Sequence, residues 1–192
     1  MFNVITLKDT IRIDPSHFGQ PLKDATLIEL RSKYEGLVDE ALGYIISVID
    51  LDVNPFGRIL PGDGGTHHQV TFSILTFFPQ LQEIVEGEVV EVADFGTFLR
   101  VGPVDALLHV SQLMDDFISY DEKQGVLLGK ESGRTITRGD VFRVRIVAVS
   151  FPRGRSSGKI GVTARQPFLG KLSWIAEEVK SVRSASEEAK AR

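Results

Sequence analysis

The sequence of 192 residues contains no cysteine, a single tryptophan and no long apolar stretch. Without cysteine, the chain cannot form disulfides, use a thiol nucleophile, or hold zinc or an iron–sulfur cluster through thiolates. No run approaches the roughly 20 apolar residues of a membrane span, and residues 1–10 lack the basic start of a signal peptide. These absences favour a globular protein of the cytoplasm.

Charge is unevenly distributed along the chain, although the net charge is only −4. Residues 81–122 carry 1 basic and 10 acidic side chains, whereas residues 123–171 carry 11 basic and 2 acidic ones. The basic block can attract phosphate, which predicts a domain with a basic face and an acidic part that points elsewhere or limits non-specific binding. The alternative is that the two blocks neutralise each other within one domain.

Residues 1–80 have the pattern of a small α+β domain. Apolar residues recur as in strands over residues 4–13, 42–53 and 69–78. Between the first two strands, Asp24 is placed to cap a helix, and the apolar side of that helix contains Ala25, Leu27, Ile28 and Leu30. A turn at 54–57, a short strand at 58–60 and a glycine-rich loop at 61–65 precede the last strand.

Residues 81–170 contain five predicted strands joined by glycine-rich turns, at 84–92, 96–101, 105–110, 141–149 and 159–163. Five short strands at this spacing suit a small closed barrel such as an OB-fold. Turn signals at Gln124 and Gly125, and again at Ser132 and Gly133, predict an extra hairpin between Met114 and Arg138. Residues 171–192 are predicted to form a helix with a frayed tail, so that the overall fold class is α+β.

Two phenylalanines mark a candidate binding surface on the barrel. Gly96 lies between Phe95 and Phe98, which predicts a bulge that turns both rings to one side of the sheet. His109 ends the neighbouring strand and can lie beside them. Stacking rings next to cations hold single-stranded nucleic acid with little sequence preference; the cations on or between the last two strands are Arg143, Arg145, Arg153, Arg155 and Lys159.

A structural role for these side chains is the alternative. Phenylalanines of a small barrel usually fill its core, and a lone histidine at a strand end usually has only local partners. Patterning by itself leaves both interpretations open.

The same stretch resembles a known domain family through residues 87–89, 94–99 and 107–113. These segments resemble the S-one-type OB domain, named after the largest protein of the bacterial small ribosomal subunit. The resemblance implies that the positions facing RNA are Phe95, Phe98, His109, Arg153 and Arg155. Many members carry an Asp at the end of the fourth strand, where this chain has Ser150, so the arginine that reaches RNA stays open.

The whole chain resembles the archaeal DNA-directed RNA polymerase stalk subunits called E-prime, which are similar to the seventh subunit of eukaryotic RNA polymerase II. The matching segments are residues 8–13, 33–36, 57–64, 114–116 and 119–121. The resemblance implies a truncated RNP-like tip domain at 1–80, an S-one-type barrel with an inserted hairpin at 81–170, and a helix and tail at 171–192.

The same resemblance implies a role and partners. The chain would be a non-catalytic subunit that docks on the polymerase core near the clamp and binds single-stranded nascent RNA. It would also form a heterodimer with the F-type RNA polymerase subunit, which is the equivalent of the fourth eukaryotic subunit.

The resemblance assigns core docking to the loop between residues 54 and 64, through Asn54, Pro55, Gly57, Arg58, Pro61, Gly62, Asp63 and Gly64. Pattern alone would make this loop an ordinary connection, although its small side chains suit insertion of the backbone into a partner pocket. Apolar residues near the domain junction are candidates for contact with the F-type subunit, namely Phe77, Phe78 and Leu81.

No other chemistry is expected from the residues. Adjacent His67 and His68 point to opposite faces of a strand without a third ligand at a suitable spacing, so we expect no metal and no cofactor. Asp115 and Asp116 suit a turn better than acid–base catalysis. Two further functions stay open, a free-standing RNA-binding factor of translation or RNA decay, and a structural bridge whose barrel never touches RNA.

Overall fold

The computed structural model describes residues 1–151 and 158–190, with the backbone alone at 181 and 183–190. It divides the chain into two units, Met1–Phe78 and Pro79–Arg192. The elements of unit 1 are β1 (Phe2–Ile13), α1 (Leu22–Tyr34), β2 (Val38–Asp39), β3 (Gly43–Val53), β4 (Arg58–Ile59) and β5 (Thr66–Phe77). Those of unit 2 are β6 (Ile84–Ala93), β7 (Gly96–Val101), β8 (Val104–His109), β9 (Ile118–Asp121), β10 (Val126–Gly129), β11 (Thr135–Ile136), β12 (Val141–Ser150), β13 (Lys159–Thr163), β14 (Gly170–Lys171) and α2 (Leu172–Lys190).

Unit 1 is an antiparallel sheet in the order β1-β5-β3-β2, with β4 paired to β5. β1 and β5 pair without a register shift, from Phe2 opposite Phe77 to Ile13 opposite Thr66. Helix α1 packs on this sheet through a buried cluster, and its apolar residues leave water together. The cluster comprises Ile11, Leu30, Ile45, Val48, Val53, Val70, Phe72 and Ile74.

Helix α1 begins earlier than predicted. It buries Ala25 and Leu30 as predicted and packs Leu27 against the core, but one residue of the predicted apolar side is exposed. It follows Pro21, whose carbonyl oxygen accepts a hydrogen bond from the Asp24 amide, so Asp24 lies in the first turn and is not the cap. Ile28, predicted on the apolar side, is 44% exposed, whereas Thr26 is fully buried. The Thr26 hydroxyl donates to the carbonyl oxygen of Leu22 at 2.7 Å, which satisfies the buried polar group.

Unit 2 contains a closed five-stranded barrel, because β12 pairs with both β6 and β13. The strand order is β13-β8-β7-β6-β12, and β13 runs parallel to β8. Inward-facing side chains fill the barrel; among them are Val85, Val89, Leu99, Ala106, Leu108, Phe142, Val144, Ile146, Ile160 and Val162. The predicted fold class, an N-terminal α+β domain followed by an OB-type barrel, is confirmed.

The insertion between the third and fourth barrel strands is larger than a hairpin. β9 and β10 form the predicted hairpin around Gly125, and β11 adds a third short strand to β10. The Asp116 carboxylate accepts hydrogen bonds from the amide and hydroxyl of Ser132 and from the Glu131 amide. These bonds hold the pKa of Asp116 at about 2, below its ordinary 3.8.

Helix α2 joins the barrel through Trp174, whose ring meets Phe142 edge-on at a centroid distance of 5.7 Å. The Arg134 guanidinium lies 4.9 Å from the centre of the Trp174 ring, so the insertion and the helix share this contact. The backbone is helical to Lys190. Within the described residues, no helix combines the length and apolarity needed to cross a membrane.

Candidate nucleic-acid interface

The rings of Phe95 and Phe98 lie together on the outer face of the barrel. Their centroids are 6.0 Å apart and their planes meet at 85°, an edge-to-face pair. Phe95 is 45% exposed and Phe98 is half-buried, so both rings present surface to solvent. Such a pair can accept a base on its exposed surface.

The bulge predicted at Gly96 lies instead on the neighbouring strand. β7 pairs with β8 in continuous register from Gly96 opposite His109, whereas the shift occurs on β6 between Val89 and Glu91. Gly96 is required for another reason. Its φ is +152°, and a Cβ atom there would lie 2.9 Å from the Cα atom of His109.

Both rings line a groove of about 780 Å³ that crosses β6, β7, β8, β13 and β12, hereafter the groove. Its floor is apolar near the rings, with Leu107 on β8 and Gly161 on β13. A second register shift, between Ile146 and Ala148 on β12, accompanies an exposed Ala148 at the opposite wall. The shape and apolar floor suit a flat aromatic ligand such as a base.

The charges of the groove are mixed. Among its described lining residues, Lys159 supplies an ammonium group, and Glu91 and Asp105 supply carboxylates. Asp105 receives a bidentate pair of hydrogen bonds from Arg100, which raises the pKa of the guanidinium. The expectation that the acidic part of the barrel points away from the binding surface is therefore wrong for these two carboxylates.

His109 ends β8 as predicted and is exposed at the surface. Its Nδ1 accepts a hydrogen bond from the Ser111 amide at 3.2 Å and lies 2.8 Å from the Ser111 hydroxyl. Because an amide can only donate, Nδ1 is the acceptor, and the neutral ring carries its proton on Nε2. His109 thus caps the turn at Val110–Gln112 and does not line the groove.

The structure brings only part of the predicted cationic set to the rings. Arg143 donates to the Glu86 carboxylate at 2.9 and 3.1 Å, and Arg145 donates to the Gln82 carbonyl oxygen at 3.2 Å. Neither lines the groove, whereas Lys159 does. The remaining two predicted cations, Arg153 and Arg155, lie outside the described residues.

The predicted docking loop of unit 1 exposes apolar side chains that the sequence reasoning did not select. Phe56 is 86% and Ile59 is 73% exposed, and Leu60 is also exposed. The Oδ1 atom of Asn54 accepts a hydrogen bond from the Phe56 amide at 3.0 Å, which fixes the start of the loop. The sequence could have revealed these exposed residues, because they are apolar residues within a segment otherwise rich in glycine and proline.

Asp63 anchors the far end of this loop. Its carboxylate accepts hydrogen bonds from the Arg12 guanidinium at 2.7 to 3.0 Å and from the Gly65 amide at 3.0 Å, and it lies 2.9 Å from Nε2 of His67. Hydrogen bonds from Arg12, followed by those from Gly65 and His67, hold the pKa of Asp63 well below its usual range. The neighbouring His68 is buried and donates from Nδ1 to the Asn54 carbonyl oxygen at 2.9 Å.

The candidate contacts for the F-type subunit differ in exposure. Phe77 is fully buried, with the ring of Phe2 at 5.2 Å and that of Tyr44 at 6.5 Å. It therefore offers no free surface, because it lies on the sheet between flanking aromatic side chains. Phe78 is half-buried, and Leu81 is 62% exposed.

Known proteins resemble both units. The family model described as "SHS2 domain found in N terminus of Rpb7p/Rpc25p/MJ0397" matches residues 8–64, and the "S1 RNA binding domain" model matches residues 79–161. DNA-directed RNA polymerase subunit Rpo7 of Saccharolobus shibatae is 38% identical over 180 residues, covering 94% of this chain and 100% of the relative. The chain belongs to the Rpo7 family.

A more distant polymerase subunit agrees with the assignment of this Rpo7 family member. RNA polymerase II subunit RPB7 of Saccharomyces cerevisiae is 30% identical over 148 residues, covering 76% of this chain and 86% of the relative. Small ribosomal subunit protein bS1 of Leuconostoc lactis is 31% identical over 123 residues, which are 63% of this chain but only 26% of bS1. The resemblance to polymerase stalk subunits found in the sequence is thereby confirmed.

Proposed function

We propose that this member of the Rpo7 family is a non-catalytic subunit of a cytoplasmic DNA-directed RNA polymerase that holds single-stranded nascent RNA in the groove. In the same proposal, the loop at 54–64 docks on the polymerase core near the clamp, and the F-type subunit completes a heterodimer. Family membership supports the place in a polymerase. The S1 match and the paired rings support RNA as the ligand.

One observation carries the RNA-binding proposal: two phenylalanine rings meet edge-to-face in an open groove with an apolar floor. A base that stacks on these rings buries apolar surface without needing a particular hydrogen-bonding edge. Lys159 can meet a phosphate at the groove, and His109 can donate from Nε2 at the end of β8. Arg143 is held by Glu86 and Arg145 by a backbone carbonyl, so their contribution to RNA binding requires exchange of those partners.

Replacement of each ring tests this proposal. We expect Phe95→Ala and Phe98→Ala each to raise the dissociation constant of the full chain for a uridine-rich oligonucleotide about tenfold, the size of one lost base–aromatic stack. Phe117→Ala is the matched control, because Phe117 is an exposed phenylalanine of the insertion outside the groove. If both ring variants bind RNA with unchanged affinity and have the same circular dichroism spectrum as the wild type, the groove is excluded as the RNA site.

The docking proposal depends on the exposed side chains of the loop. Phe56, Ile59 and Leu60 present apolar surface at one end of unit 1, and the hydrogen bonds to Asp63 order the segment that follows them. A loop held in one conformation loses less conformational entropy on binding, which favours a stable contact. The proposal extends to these three residues beyond the set selected from the sequence.

The remaining alternatives make different predictions about partners. A free-standing factor of translation or RNA decay would copurify with ribosomes or an exonuclease, whereas a polymerase subunit copurifies with the other polymerase subunits. The F-type partner is tested in the same experiment, by mass spectrometry of proteins retained on the native chain. A purely structural bridge would give no RNA crosslinks from the groove in an elongating complex.

A further inference from the structure

One row of paired residues crosses the groove from wall to wall, and it contains a single polar side chain. Glu91 pairs with Phe98, Phe98 with Leu107, Leu107 with Gly161, and Gly161 with Ala148. All five residues line the groove. The carboxylate of Glu91 is therefore the only side-chain hydrogen-bonding group in the row that contains the Phe98 ring.

The bulge on β6 explains why this carboxylate lies in the groove. Val85, Gly87 and Val89 point into the barrel, and strict alternation would send Glu91 inward after them. The register shift between Val89 and Glu91 inserts one residue, so Glu91 lies opposite Phe98 on the outer face and is exposed. Within the described part of the chain, it makes no hydrogen bond or ion pair that would occupy it.

Across Phe98 from Glu91, the remaining residues of this row offer no hydrogen bonds from side chains. Leu107 and Ala148 are apolar, and Gly161 has no side chain. A Cβ atom on Gly161 would lie 3.3 Å from the Cβ atom of Ala148. Glycine at this position therefore leaves the space above the two strands open. Residues directly opposite each other have Cβ atoms about 5 Å apart, which places the Glu91 carboxylate at the rim of a base stacked on Phe98.

A carboxylate accepts hydrogen bonds and donates none, so it selects among bases by their donors. Guanine has two adjacent donors, N1–H and the N2 amino group, and can pair with both carboxylate oxygens. Adenine and cytosine each place an acceptor nitrogen beside their amino group, and uracil places a carbonyl oxygen on either side of N3–H. Three of the four bases therefore bring an acceptor against Glu91.

We infer that Glu91 gives the groove a preference for guanine over the other three bases at the position stacked on Phe98. The inference rests on the proposed function, in that the groove must first bind single-stranded RNA. Bidentate pairing with one base edge discriminates between bases, and we expect a preference of about tenfold.

The test compares fluorescein-labelled pentauridine with the same RNA carrying guanosine, inosine, adenosine or cytidine at its centre, by fluorescence anisotropy with the full chain. Inosine keeps N1–H and lacks the N2 amino group, so it reports on the second hydrogen bond. We expect the guanosine RNA to bind about tenfold more tightly than pentauridine and the inosine RNA to fall between them. Equal affinities for all five RNAs would overturn the inference.

Two variants assign the preference to one carboxylate. Glu91→Gln should bring the guanosine-to-uridine ratio close to one while pentauridine binding stays the same or tightens slightly, because a negative charge leaves the groove. Glu88→Gln removes the same charge from an exposed position of the same strand outside the groove and should leave the ratio unchanged. A ratio that survives Glu91→Gln overturns the inference but leaves the proposed function intact. Absence of binding to any of the RNAs contradicts the proposed function itself.

Discussion

Gly96 and His109 face each other across β7 and β8 so closely that a Cβ atom on Gly96 would lie 2.9 Å from the Cα atom of His109. The φ of Gly96 is +152°, a conformation that residues with side chains rarely adopt. The amide of the next residue, Val110, donates to the Phe95 carbonyl oxygen at 2.9 Å. The position of the Phe95 ring thus depends on the close approach of these two strands.

We expect Gly96→Ala to destabilise unit 2 by about 2–3 kcal/mol, because the added methyl group meets backbone atoms that cannot move alone. Urea unfolding followed by tryptophan fluorescence measures this effect, since Trp174 lies in unit 2. Gly125→Ala is the matched control, with a φ of +63° but nothing within 4 Å of the added atom. Equal destabilisation by the two variants would assign the effect to backbone conformation alone.

The stability of the insertion should depend on pH through Asp116. Its folded pKa of about 2 is depressed from 3.8, so its stabilising contribution is present above about pH 4 and is lost as the pH falls through about 2. We expect Asp116→Asn to be less stable than the wild type at pH 7 and to show a flatter decline between pH 4 and pH 2. Urea unfolding at these pH values measures both effects.

Glu122→Gln provides the control for that measurement, because Glu122 is an exposed carboxylate of the same insertion. Its removal should leave the acid dependence unchanged. A direct reading comes from an NMR titration of the Asp116 carboxyl carbon, and a midpoint near 3.8 would contradict the proposed origin of the effect.

Docking on the polymerase core should weaken when the exposed loop side chains are shortened. We expect Phe56→Ala and Ile59→Ala each to cost about 2 kcal/mol, or roughly thirtyfold in affinity, as for large apolar residues at the centre of an interface. Retention of core subunits by the tagged chain measures the loss. Ile28→Ala removes an exposed isoleucine of α1 that is not part of the loop, and this variant should retain the core like the wild type.

The salt dependence of RNA binding measures the number of phosphates that the groove neutralises. Each phosphate neutralised in a single strand contributes about 0.7 to the slope of log affinity against log salt, so Lys159→Gln should lower the magnitude of that slope by about 0.7. Lys130→Gln, at an exposed position of the insertion, should leave it unchanged. A slope unaffected by Lys159→Gln would show that this ammonium group does not meet phosphate.

The sequence by itself determined where the strands of the barrel lie. β7 and β13 occur over the predicted residues, and Gly125 turns the predicted hairpin, because strand alternation and turn residues act over a few neighbouring positions. A local pattern around Gly96 also singled out the two rings that line the groove, and the resemblance to the S-one-type domain implied that they face outward.

Only the tertiary structure decided which charged side chains form ion pairs. Arg143 pairs with Glu86, which lies 57 residues earlier in the chain, because β12 and β6 are adjacent in the closed barrel. Phe77 is buried between rings from two other strands, so its hydrophobicity did not reveal whether it was free. The bulge on β6 turned Glu91 outward against the local alternation, since register is set by the pairing of whole strands and not by the residues of one strand alone.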